Sequence, residues 1–168
     1  MPTIKPTDAN DCVQFINQYR DEIVRGVYDI QIEKDWVNAI SNTELLFLIQ
    51  HCRRPVETIA LTATAENILE ILARSNNFRI RRAVAENEHT SARLLEHLAC
   101  DSDMYVRRCI VRHANTTLHI LEILAKDADD DVRRLVAGDK RTPASLLEIL
   151  GKDSDKSIRM TVAENPNT

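Results

Sequence analysis

A chain of 168 residues, 43% apolar and 29% charged, has the size and composition of one folded domain rather than a disordered polymer. Three glycines and five prolines are too few for long flexible linkers, and no apolar run approaches the roughly 18 residues that a membrane-spanning helix needs. The formal charge of −4 gives no general pull toward nucleic acid or anionic lipid.

The first residues, Met1 to Thr7, carry one lysine and no apolar block, so they do not read as a secretory signal. The cytoplasm is the expected compartment. Cys12, Cys52, Cys100 and Cys109 are widely spaced, form no CxxC pair and read as free thiols. Thr7 or Asp8 starts an amphipathic helix holding Cys12, Phe15, Ile16, Tyr19 and Ile23. A break near Gly26 precedes a second helix with Trp36, Val37 and Ile40. Residues 1–40 are expected to form a helical cap on the exposed end of a repeat array, because their aromatic groups are larger than the residues of the repeats. Residues 41–63 carry a degenerate repeat, in which Leu45 and Leu48 precede Val56 and Ile59 at shortened spacing.

Residues 64–168 hold four clear repeats of 26 residues. Thr64, Thr90, Thr116, Thr142 and Thr168 recur at that interval, as do Leu72, Leu98, Leu124 and Leu150. The same register holds for Ile80, Val106, Val132 and Ile158, and for Val84, Ile110, Val136 and Val162. Each unit predicts a helix of about ten residues, opened by the threonine as N-cap and, at Pro143, by proline in the first helical position. A polar turn comes next, and Asp103, Asp129 and Asp155 are placed to cap a second segment of about seven to nine residues. That segment is short enough to contain tight 3₁₀ geometry. Leu95, Leu98, Val106 and Ile110 are expected to share an interior. One such unit cannot bury its own apolar faces, so units must stack.

The string LLEILAxDxDxxVRRxVAxNxxT resembles the leucine-rich repeat variant family. Leu146 to Leu150, Asp153, Asp155, Ile158, Arg159, Val162, Ala163, Glu164, Asn165, Pro166, Asn167 and Thr168 carry the resemblance most clearly. It implies an all-α fold, an α/3₁₀ repeat solenoid forming a right-handed, armadillo-like superhelix, and not a strand-lined horseshoe. One family member carries an N-terminal iron–sulfur cluster. Here Cys12 and Cys52 alone precede the clear array, so no cofactor is expected.

Paired arginines recur as Arg81–Arg82, Arg107–Arg108 and Arg133–Arg134, with Arg159 closing the first column and Met160 breaking the second. The first column reads as a structural ladder. Asp103, Asp129 and Asp155 lie four residues before Arg107, Arg133 and Arg159, and carbonyls in adjoining turns offer further acceptors. Arg82, Arg108 and Arg134 are the candidate partner-binding groups, since a stripe of guanidinium groups gives directed donors for carboxylates or phosphates. The expected function is therefore a scaffold for a protein or peptide. Nucleic acid is the alternative, weakened by a near balance of 16 basic and 17 acidic residues from Thr64 onward and by the lack of an aromatic series for base stacking.

His97, Cys100, Cys109 and His113 imitate the spacing of a zinc site, but they fall in unrelated repeat columns and are expected to hold no metal. No GxSxG elbow, phosphate loop or HExxH helix occurs, and no catalytic residues are assigned; an enzyme with an unrecognised site is the remaining, weaker reading. The oligomeric state stays open.

Overall fold

The computed structural model describes residues 3–4, 9–18, 21, 29–30, 41, 43–44, 47 and 59–168. The chain divides into two compact units, residues 1–89 and residues 90–168. Apart from a two-residue parallel pairing of Thr3–Ile4 with Asp29–Ile30, the regular elements among the described residues are helices.

In the first unit, α1 spans Ala9–Gln18 and buries Ile16, while residues 59–62 are helical and bury Ile59. The expected helix around Trp36, Val37 and Ile40 lies outside the described residues, as do Leu45, Leu48 and Val56 of the degenerate repeat. Helix α2 (Glu66–Leu72) packs on α3 (Phe78–Glu86), and Ile68, Leu69, Leu72, Ile80 and Val84 form their buried side.

The second unit contains three further helix pairs. These are α4 (Ala92–Leu98) with α5 (Met104–Arg112), α6 (Leu118–Leu124) with α7 (Asp130–Gly138), and α8 (Ala144–Leu150) with α9 (Lys156–Ala163). Within each first helix two adjacent apolar residues and a third one turn on are buried, as in Ile120, Leu121 and Leu124 or in Leu146, Leu147 and Leu150. Each second helix buries residues four apart, Val106 with Ile110, Val132 with Val136 and Ile158 with Val162, which lie on one α-helical face. The second helices pack on one another, α5 against α7 and α7 against α9. Leu95, Leu98, Val106 and Ile110 are each at most 1% exposed, as their periodicity requires.

The aspartate caps are made. Asp103 accepts from the Tyr105 N–H at 2.9 Å, Asp129 from Val132 at 3.1 Å and Asp155 from Ser157 at 2.6 Å; Asn77 does the same for Arg79 at 3.0 Å. These caps explain a departure from the 3₁₀ expectation. With the first turn anchored, the i→i−4 ladder begins at once, from Arg107 N to Asp103 O (3.4 Å), Arg133 N to Asp129 O (3.2 Å) and Arg159 N to Asp155 O (3.3 Å). All four second segments, eight or nine residues long, are α-helical, and tighter i→i−3 bonds appear at their ends.

The threonine column has a different task from the predicted one. Each first helix begins one residue later, and its N-cap is Ala65, Ser91, Thr117 or Pro143. Ser91 and Thr117 accept from the Leu94 and Ile120 N–H groups, both at 3.4 Å. Pro143 accordingly sits at the cap rather than in the first helical position. The column threonines look backwards: the hydroxyls of Thr116, Thr142 and Thr168 donate to the carbonyls of Ile110, Val136 and Val162, six residues earlier. The last carbonyls of a helix have no intrahelical donor, and at Thr142, which is fully buried, water cannot replace one.

Leu121→Ala and Leu147→Ala, each removing a side chain 1% exposed, should destabilise the chain by about 2–5 kcal/mol in urea unfolding. A loss below about 1 kcal/mol at both sites would mean that neighbouring residues refill the space, contrary to a close-packed core.

Candidate interaction surface

The two arginine columns have separate surroundings. In the first column, Arg107 donates from Nε and Nη2 to both oxygens of Asp127, at 2.6 and 2.8 Å, and from Nη1 to the Asp101 carbonyl at 2.8 Å. Arg133 repeats this one unit on. Its Nε and Nη2 meet Asp153 at 2.7 and 3.2 Å, and its Nη1 meets the Asp127 carbonyl at 2.8 Å. Arg81 and Arg159 make the same carbonyl contact, to Ser75 O at 2.8 Å and to Asp153 O at 2.7 Å.

The carboxylates that Arg107 and Arg133 bind are not the ones expected at the spacing of four. Asp103 and Asp129 spend their side chains on capping. The partner of each arginine is instead the first aspartate of the next turn, 20 residues on. That aspartate also shapes its own turn: Asp127 Oδ1 accepts from Asp129 N at 2.8 Å, and Asp153 Oδ1 from Asp155 N at 2.9 Å. Little solvent reaches the pairs, whose side chains are 13% and 5% exposed for Arg107–Asp127 and 16% and 10% for Arg133–Asp153. The hydrogen bonds donated to Asp127 and Asp153 raise the pKa values of the two guanidinium groups, and the bond from Arg133 holds the Asp153 carboxyl below its ordinary 3.8.

A second set of bonds is built on Asn87, His113, Asp139 and Asn165, another column at the same spacing. The Asn87 amide donates to the Ala60 and Ala63 carbonyls at 2.8 and 2.9 Å, and that of Asn165 donates to Ala137 and Asp139 at 2.7 and 3.0 Å. All four side chains accept from the backbone N–H two residues ahead. Asp139 has no N–H to offer backwards. Arg141 takes over, binding Asp139 at 2.6 Å and reaching the His113 and Val111 carbonyls at 2.8 and 2.5 Å. Burial alone would raise the Asp139 pKa, but the hydrogen bonds from Arg141 outweigh it and the value falls.

The second column faces outward. Arg82 pairs with Glu86 one turn on, at 2.8 Å, in the first unit. In the second unit Arg108 donates to Asp131 Oδ2 at 3.1 Å, and Arg134 binds Asp131 Oδ1. One carboxylate thus lies between two guanidinium groups of neighbouring helices, with side chains 31%, 37% and 47% exposed for Arg108, Asp131 and Arg134. Charge is present at this surface in both signs.

The four residues with zinc-like spacing are not equivalent: His97 and Cys100 are exposed, Cys109 is half-buried, and buried His113 accepts from Asn115 N through Nδ1 at 3.0 Å. Among the described residues no group of three or more histidine, cysteine, aspartate or glutamate side chains is placed to hold a metal ion. No helix among them is long and apolar enough to cross a membrane.

Apart from the Thr3–Ile4 and Asp29–Ile30 pairing, the regular structure among the described residues is helical, and the three helix pairs of the second unit are tied to one another by polar side chains. Comparison with family models, curated proteins and solved structures gives no match.

The two columns should respond differently to truncation. Arg133→Ala strands the Asp153 carboxylate and should cost about 3 kcal/mol, whereas Arg108→Ala at the exposed surface should cost at most about 1 kcal/mol. Equal losses in urea unfolding would erase the distinction. Acid adds an independent check. A carboxyl whose folded pKa is depressed contributes stability that is present above its unfolded value of 3.8 and is lost as pH falls through the lower folded value. The parent should therefore lose more stability on acidification below pH 3.8 than Arg133→Ala does, and parallel acid profiles would contradict the Asp153 assignment.

Proposed function

We propose that this chain is a helical-repeat scaffold of the leucine-rich repeat variant kind, whose units stack into an armadillo-like right-handed superhelix and bind a protein or peptide. The observation that carries this reading is the Arg108–Asp131–Arg134 cluster, which sets alternating charges on neighbouring second helices. Since the helices behind it are fixed by Arg107–Asp127 and Arg133–Asp153, the outer side chains stand at a spacing set by the fold. A polypeptide with acidic and basic groups matches such a surface by exchanging partners with it: its carboxylates take the arginines and its cations take Asp131. A phosphate backbone meets Asp131 as a repulsive group between the two guanidiniums, which favours protein over nucleic acid. Arg82, paired with Glu86, offers the same chemistry in the first unit.

The test begins with a pull-down and continues with a titration of each recovered partner. Arg82→Gln, Arg108→Gln and Arg134→Gln combined should weaken binding about tenfold or more while leaving the helical circular dichroism unchanged. Unchanged affinity for a verified partner would reject this surface, and recovery of RNA or DNA alone would replace the protein reading with the nucleic-acid one.

A further inference from the structure

The Arg108–Asp131–Arg134 cluster has a counterpart of reversed sign on the first helices of the same two pairs. His119, at the start of α6, stands between two carboxylates. Its Nε2 lies 3.3 Å from Glu96 Oε1 on α4, and its Nδ1 lies 3.7 Å from Glu122 Oε2 one turn along α6. The two rows share one plan. In each, a residue of the earlier pair meets a central residue 23 positions on, and the third residue follows three positions later. Along the second helices the order is cation, anion, cation. Along the first helices it is anion, imidazole, anion.

Both rows reach solvent, most openly on the first helices, where Glu96, His119 and Glu122 are 52%, 63% and 52% exposed. Each row also has a large apolar neighbour at the surface. Tyr105, three residues before Arg108, is 48% exposed, and Leu118, four residues before Glu122, is 51% exposed. Residues at those separations share a side of a helix, so each face carries an apolar group beside its charges.

We propose that the two rows are the two halves of one contact between copies of this chain. The first-helix face of one copy docks on the second-helix face of another, with Glu96 and Glu122 pairing with Arg108 and Arg134. This rests on the reading of the arginine cluster as a protein-binding surface and names its partner as a second copy. The argument is charge complementarity: an alternating row is matched by an alternating row of opposite sign, and the chain supplies one of each. Asp131 then meets His119, whose imidazole carries the matching charge when protonated. Tyr105 and Leu118 add apolar contact. Because the two faces differ, a docked pair of copies still has one row of each sign free, and association continues into chains or closes into a ring.

The test is sedimentation velocity of the full chain between about 10 µM and about 1 mM, in about 50 mM salt, where surface charges are weakly screened. The mean mass should rise with concentration and fall again in about 0.5 M salt. Arg108→Glu with Arg134→Glu leaves two acidic faces, and Glu96→Arg with Glu122→Arg leaves two basic ones. Each double variant should remain monomeric, and the two mixed should associate again. Arg108→Gln with Arg134→Gln, which removes charge without gathering carboxylates around Asp131, should raise the apparent Kd of self-association about tenfold or more. Circular dichroism of each variant should match that of the parent. A parent that is monomeric throughout overturns the proposal, as does association that survives both charge reversals, or folded variants that stay apart when mixed. A monomeric parent whose arginines bind a different protein overturns the second-copy contact alone and leaves the protein-binding reading of the arginine cluster standing.

Discussion

A guanidinium group taken out of water must find acceptors for its donors, and the pairs Arg107–Asp127 and Arg133–Asp153 show how this fold meets that demand across a gap of 20 residues. Each arginine binds the carbonyl of its own preceding turn with one nitrogen and the next unit's aspartate with two. The first bond fixes the side chain against its own helix pair; the other two fix the next pair against it. Apolar burial is non-directional and tolerates sliding of one helix over another. The bidentate pair does not, so register along the second unit is set by charge while most of the cohesion comes from leucine, isoleucine and valine.

The same aspartates tie the joint to local structure. Asp127 accepts from Arg107 and from the Asp129 N–H at the same oxygen, Oδ1, and Asp129 in turn caps α7. A change at one of these carboxylates is felt in the turn, in the next helix and in the preceding unit together. Such coupling between neighbours is what makes short helices of seven to nine residues persist, because isolated helices of that length are marginal in water.

Much of this is legible in the sequence. The 26-residue columns identify the buried leucines and valines, since an apolar residue that recurs at one phase of a repeat faces the same neighbour each time. The capping role of Asp103, Asp129 and Asp155 is legible for the same reason. What the pattern does not resolve is direction. Thr142 has a hydroxyl that both donates and accepts, and a position between two helices; whether it opens α8 or closes α7 depends on a boundary shift of one residue. The carboxylate partner of Arg133 escapes a helical reading because Asp129 stands at the spacing of four, whereas the real partner, Asp153, is near only after two units have packed. A signal exists: Asp127 and Asp153 recur 20 residues after Arg107 and Arg133.

The asparagine column shows that the fold selects for satisfied carbonyls rather than for a particular residue. At Asn165 one amide group does both tasks, donating back to Ala137 and Asp139 and accepting from Asn167 N ahead. At Asp139 the accepting half is kept, by the bond from Arg141 N, and the donating half has moved two residues along to the Arg141 side chain, which supplies Val111 and His113. The exchange adds a negative and a positive charge, and these neutralise each other through the bond between Asp139 and Arg141. Asp139 with Arg141 thus does the work that Asn165 does alone. What Asn87, Arg141 and Asn165 each deliver is a pair of donors at the end of a preceding helix, where helical carbonyls have run out of helical partners.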